Sequence, residues 1–199
     1  QEGFLRYGLM ENGSIWGHGA YLGPDFSAEY LHTLAVDTGD YLARRNYGRP
    51  FVELTPVEAA AVTSEIHYLL KENRYDSLTK TLVLTPPEAE SFHHQVGKWT
   101  DYFSDPLVNR GLLYGHIRDP REIRQLTAFF AWTAWASVAN RPGESYSYTN
   151  NFPYDPLAGN RPTSDTVLWS ALSLIALLAG TAAVLFAFGR FNFLGWKGR

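Results

Sequence analysis

The chain predicts a mainly α-helical domain with a short β element, followed by one transmembrane helix. Three features of the sequence predict this. Three segments open with a cap residue, a proline and a glutamate; a fourth carries an apolar stripe at helical spacing; and residues 167–189, VLWSALSLIALLAGTAAVLFAFG, form a run of 23 residues without a charge.

The first of these helices follows Pro24, with Asp25 or Ser27 as its cap, and runs to near Gly48. Tyr30, Leu31, Leu34, Tyr41 and Leu42 give it one apolar face. The capped segments are Thr55-Pro56-Val57-Glu58, Thr85-Pro86-Pro87-Glu88 and Asp119-Pro120-Arg121-Glu122. In each, Thr or Asp accepts from otherwise orphaned amides, Pro gives up no hydrogen bond in the first turn, and Glu reaches back to the cap amide. They predict helices over about 56–72, 87–103 and 120–139. On the last, Phe129, Trp132 and Ala136, with Trp135 beside them, are expected to form the main buried face.

Residues 77–84, SLTKTLVL, alternate apolar and polar side chains and read as a short strand. The soluble domain is expected over 1–140, and 141–166, rich in Pro and Gly, as a linker into the membrane. At about 1.5 Å per residue the uncharged run extends about 34 Å, enough for a hydrocarbon core of about 30 Å. Arg190, Lys197 and Arg199 follow it, whereas Asp155, Arg161 and Asp165 precede it. The positive-inside rule therefore puts 190–199 in the cytoplasm and the N-terminal domain outside.

Composition narrows the function. A net charge of -3 from 17 basic and 20 acidic residues offers no basic face, which argues against nucleic acid as a partner. The absence of cysteine excludes thiolate metal sites, iron–sulfur ligation, cysteine nucleophiles, disulfides and covalent haem attachment. The polar start at Gln1 carries no signal-peptide pattern and reads as part of something longer.

Few residues combine into a site. His93 and His94 are adjacent on a predicted helix and diverge by about 100°, which does not suit one shared ion. Glu29 and His32 have the i, i+3 spacing of a di-iron bundle, but a second such motif is missing. No nucleophile elbow, P-loop, H-E-x-x-H or dinucleotide fingerprint occurs. Residues 12–25, NGSIWGHGAYLGPD, crowd Gly13, Gly17, Gly19 and Gly23 together. Such a segment either lets backbone groups approach a ligand or another chain closely, or closes a tight loop around Trp16 and Tyr21.

Three stretches, GSIWGHGAYLGPDFSAEYLH, RQLTAFFAWTAWASVANRPGESYSYTNNFPYDPLAGNRPT and the apolar run ending FGRFNFLGW, resemble quinol-dependent nitric oxide reductases. These are single-chain membrane enzymes of the haem–copper oxidase superfamily. The resemblance implies a periplasmic cytochrome c-like domain and the membrane helix after it, in a bacterial inner membrane. In the related cytochrome-dependent enzymes a C-x-x-C-H haem motif closely precedes a G-x-G-A-Y-x-x-P-[DE] stretch. Placing that stretch on residues 17–25 sets Leu9 and Asn12 where the thioether cysteines would be, and Gly13 where the axial histidine would be.

The resemblance thus implies a domain that kept a cytochrome framework and lost its haem, with a membrane quinol as electron donor. By the same resemblance, Gly19 and Tyr21 take the positions whose backbone carbonyls, in the cytochrome-dependent enzymes, help hold a calcium ion beside haem propionates of the catalytic bundle, a role open to this chain only in the full-length enzyme. Haem b and non-haem iron, at which NO becomes N₂O, belong to the rest of the bundle, so this chain has no catalytic residue or cofactor of its own. The expected partners are that bundle, the lipid bilayer, quinol and NO. The competing readings are a membrane-anchored extracellular sensor or ligand-binding domain, and a periplasmic metalloenzyme.

Overall fold

The computed structural model describes residues 1–109 and 111–197, and separates Gln1–Arg161 from a second unit that begins at Pro162. Arg199, one of the three basic residues in the C-terminal flank, lies outside the described residues.

A short helix α1, Glu2–Arg6, precedes a glycine-rich hairpin of β1, Ser14–Ile15, and β2, His18–Gly19. Helix α2, Phe26–Tyr47, starts where Asp25 accepts from the Ala28 amide and ends on left-handed Gly48. Helix α3, Pro56–Lys71, carries the full capping box, with the Thr55 amide and hydroxyl both donating to Glu58. Those bonds, the amide's first, hold the Glu58 carboxyl below its ordinary range. Helices α4, Pro86–Ser104, and α5, Pro120–Val138, start at the predicted Thr85 and Asp119 caps.

Helices α2, α4 and α5 pack against one another, with α3 against α2, around an aromatic core. The Phe26 and Phe130 rings stack 4.7 Å apart at 8°, with Trp99 5.4 Å from the first and 4.9 Å from the second. The tightly packed rings leave α5 with a buried stripe of Ile123, Leu126, Thr127, Phe130, Ala134 and Val138. This corrects the predicted face. Ala136 is buried, but Phe129 and Trp135 are only half-buried and Trp132 is 47% exposed.

Two further expectations change. The strand predicted over 77–84 is the tip and return arm of a hairpin, in which β3, Tyr75–Asp76, pairs with β4, Thr81–Leu82. Asp76 accepts from the Leu78 amide and the Thr79 hydroxyl and folds the intervening residues into a turn. Residues 141–161, read as linker, are packed onto the domain instead. Ser147, Asn151, Asp155, Ala158 and Asn160 are buried there. Lys71 Nζ donates to Asn151 Oδ1 at 3.0 Å and Asn160 Oδ1 at 2.9 Å, while His32 meets Asp155 at 2.8 Å. Desolvation pushes the Lys71 ammonium down to about 8, and its hydrogen-bond partners among the described residues are neutral amide oxygens.

In the second unit, α6, Ser164–Phe191, contains the uncharged run and has no buried residue. Its 28 residues extend about 42 Å, long and apolar enough to cross a membrane.

Candidate functional site

The glycine hairpin is held by one carboxylate. Asp25 Oδ1 caps α2 through the Ala28 amide, while Oδ2 accepts from the Gly17 amide at 2.6 Å and the Ser14 hydroxyl at 2.9 Å. Helix and hairpin therefore share an anchor, which the sequence showed only as a cap. Ser27 Oγ, the other predicted cap, accepts from the Trp16 amide instead. The Trp16 indole donates to the Thr133 carbonyl and ties the turn to α5.

Backbone crowding explains two of the glycines. At Gly19, φ is +140° and an added β-carbon would run into the Gly13 carbonyl and come within 2.9 Å of Ser14 Cα. At Gly13 it would collide with the Pro24 carbonyl and lie 2.7 Å from the Phe26 ring. Both positions need a bare backbone. Tyr21 is 84% exposed and its hydroxyl donates to the Gly17 carbonyl at 3.2 Å. Its own carbonyl accepts no hydrogen bond among the described residues.

The segment aligned with the haem motif is filled by its own side chains. Leu9 is fully buried in a short 3₁₀ turn, Leu9–Glu11. Asn12 donates to the Asn109 carbonyl at 2.9 Å and accepts from the Tyr102 hydroxyl at 2.6 Å. No side chain at position 13 could reach out as an axial ligand, because the Phe26 ring and Pro24 carbonyl occupy the space. The residues present do not fit a c-type haem.

For calcium, the hairpin offers backbone oxygens, while its own carboxylate, Asp25, is occupied by three donors. Calcium takes six to eight oxygens. Gly19 and Tyr21 could supply only part of such a shell.

The other sequence candidates are scattered. Glu29 pairs with Lys98, His94 meets Asp37 at 2.9 Å, and His93 is an exposed ring beside Phe92. Among the described residues no group of three or more His, Cys, Asp or Glu side chains could hold a metal ion. A cleft of about 650 Å³ between α2 and α4 lies away from the hairpin, and its Asp37, Asp40, Arg44 and Arg45 are already engaged with neighbouring side chains.

The family model for the cytochrome c-like domain of the nitric oxide reductase protein NorB matches residues 1–154. No curated protein matches the chain. The match takes in α1 to α5, the glycine hairpin and residues 9–13. The chain therefore belongs to the NorB cytochrome c-like domain family of nitric oxide reductases.

Proposed function

We propose that this chain is the haem-less periplasmic cover, with one bundle helix, of a quinol-dependent nitric oxide reductase of the haem–copper oxidase superfamily. The packing at Leu9, Asn12 and Gly13 carries this reading. In a cytochrome c-like family, a domain whose axial-ligand position has no room for a side chain relays no electrons through a haem of its own. Electrons then come from quinol in the membrane. Two NO, two electrons and two protons become N₂O and water at haem b and non-haem iron outside this chain.

The domain's part is positional. Asp25 fixes the hairpin against α2, and the bare backbone at Gly13 and Gly19 lets its two arms close. In this reading the carbonyls of Gly19 and Tyr21 are the hard oxygen donors that the hairpin offers to the catalytic bundle. Calcium, when bound there, would neutralise haem propionates, with its remaining ligands supplied by the bundle. The basic flank at Arg190 and Lys197 supports a cytoplasmic C-terminal end and a periplasmic domain in a bacterial inner membrane. The family match does not favour a sensor domain.

Haem and iron analysis of the purified intact enzyme tests this. The expected result is b-type haem and non-haem iron with no haem assigned to residues 1–161. A haem that stays with this domain after the bundle is removed by proteolysis would overturn it.

A further inference from the structure

Within the Gln1–Arg161 unit, helices α2 to α5 and the β3–β4 hairpin leave a small pocket lined by no residue of the glycine hairpin. Leu34, Leu70, Leu82, Leu84, Ala131 and Val138 make its apolar wall. Its volume is about 20 Å³. On that scale a single water takes about 10–15 Å³, so the space suits one very small molecule.

Two hydrogen-bond donors on this wall are idle. Tyr30 is 2% exposed, and its hydroxyl has no hydrogen-bond partner among the described residues. Burial, and then the Glu88 and Asp37 carboxylates, push the phenol above its ordinary range, so near neutral pH it is an O–H donor. The Trp135 indole N–H is buried and likewise unpartnered, its ring set between Tyr75 at 5.8 Å and Tyr148 at 5.4 Å. Glu88 is the charged group on the wall, and it already accepts from Arg74 and Thr85 in four contacts of 2.6–2.7 Å. A carboxylate has about four such sites, so it has none to spare.

These features select the occupant. A water held by Tyr30 and Trp135 would still have its own hydrogens to place, against leucine side chains and a saturated carboxylate. The pocket favours a guest that accepts from idle donors and asks for no acceptor in return. Nitric oxide meets both conditions: it is a neutral, nearly apolar diatomic with no hydrogen to donate, and its passage from water to an aliphatic wall is favourable. It is also the molecule on which this family of reductases acts.

We propose that the pocket between α2 and α5 admits one molecule of nitric oxide, with the Tyr30 hydroxyl and the Trp135 indole as its polar contacts. The choice of gas rests on the family to which the chain belongs, and it does not depend on quinol as electron donor.

Six tryptophans give six indole N–H signals in a nitrogen–proton correlation spectrum of the isotope-labelled chain in detergent. Trp135→Phe and Trp132→Phe assign two of them. During anaerobic titration with dissolved nitric oxide, the unpaired electron of the gas speeds the relaxation of protons beside it. The expected result is a reversible enhancement at Trp135 that saturates, and that exceeds the enhancement at half-exposed Trp132 several-fold. Ala131→Leu fills the pocket from α5 and Leu84→Phe fills it from the rim, and either should return Trp135 to the Trp132 level in a folded chain. Equal, non-saturating enhancement at both indoles would overturn the proposal. So would a long-lived water beside the Trp135 N–H that nitric oxide does not displace. A saturating response that survives both fillers would put the gas elsewhere and overturn the pocket as its site. Turnover is read in none of these arms, so their outcomes separate the pocket from the electron donor.

Discussion

Replacing Phe130 by alanine removes a fully buried ring stacked on Phe26 at 4.7 Å and in contact with Trp99 at 4.9 Å. Truncating a phenylalanine of this kind costs about 3–5 kcal/mol, because transfer and cavity terms add. For a domain of this size each kcal/mol lowers Tm by about 2–4 °C, so the drop is about 6–20 °C. Trp132→Ala serves as the contrast. Nearly half of that indole already faces solvent, and removing it opens no enclosed cavity. The expected loss there is about 2 kcal/mol. Near-ultraviolet circular dichroism of the chain in detergent, followed through thermal unfolding, measures both variants. A Trp132→Ala variant that melts as early as Phe130→Ala would refute the assigned face of α5.

Three further outcomes follow from single groups. Asp25→Ala loses the α2 cap together with the Ser14 and Gly17 bonds, and denaturant titration should show a loss of about 2 kcal/mol. In the intact enzyme, Gly19→Val should disturb haem spectra and NO turnover because its β-carbon meets the Gly13 backbone, whereas Tyr21→Phe should leave both unchanged; unchanged spectra and turnover in Gly19→Val would contradict the role given to the hairpin. Lys71 has a folded-state pKa of about 8, below its ordinary 10.5, so between those values the unfolded chain binds more protons and stability from this group rises with pH. The denaturation midpoint of the unaltered chain should therefore gain on that of Lys71→Met from pH 8 toward 10, and parallel curves would contradict it.

The helices were legible because their signals are local. Thr55, Thr85 and Asp119 each sit beside the groups they cap, and Gly48 takes the left-handed turn that ends α2. The buried face of α5 was not, since Trp132 is large and apolar yet lies half-exposed beside Phe129 and Trp16, while small Thr133, Ala134 and Ser137 face inward. Alternation over 77–84 gave no sign of where the chain would turn, which the Asp76 carboxylate decides. Prolines correctly barred a helix from 141–161, but breakers carry no information about docking through Lys71, His32 and His67. At the hairpin, glycine density announced close backbone approach, whereas the second role of Asp25 needed coordinates because its partners lie eight and eleven residues upstream.

The most direct test of the proposed role is NO consumption by the purified intact enzyme with a single electron donor at a time. A reduced quinol alone should sustain conversion of NO to N₂O, and a reduced soluble cytochrome c alone should not. Turnover supported by the cytochrome and not by quinol would contradict a domain that has lost its electron carrier.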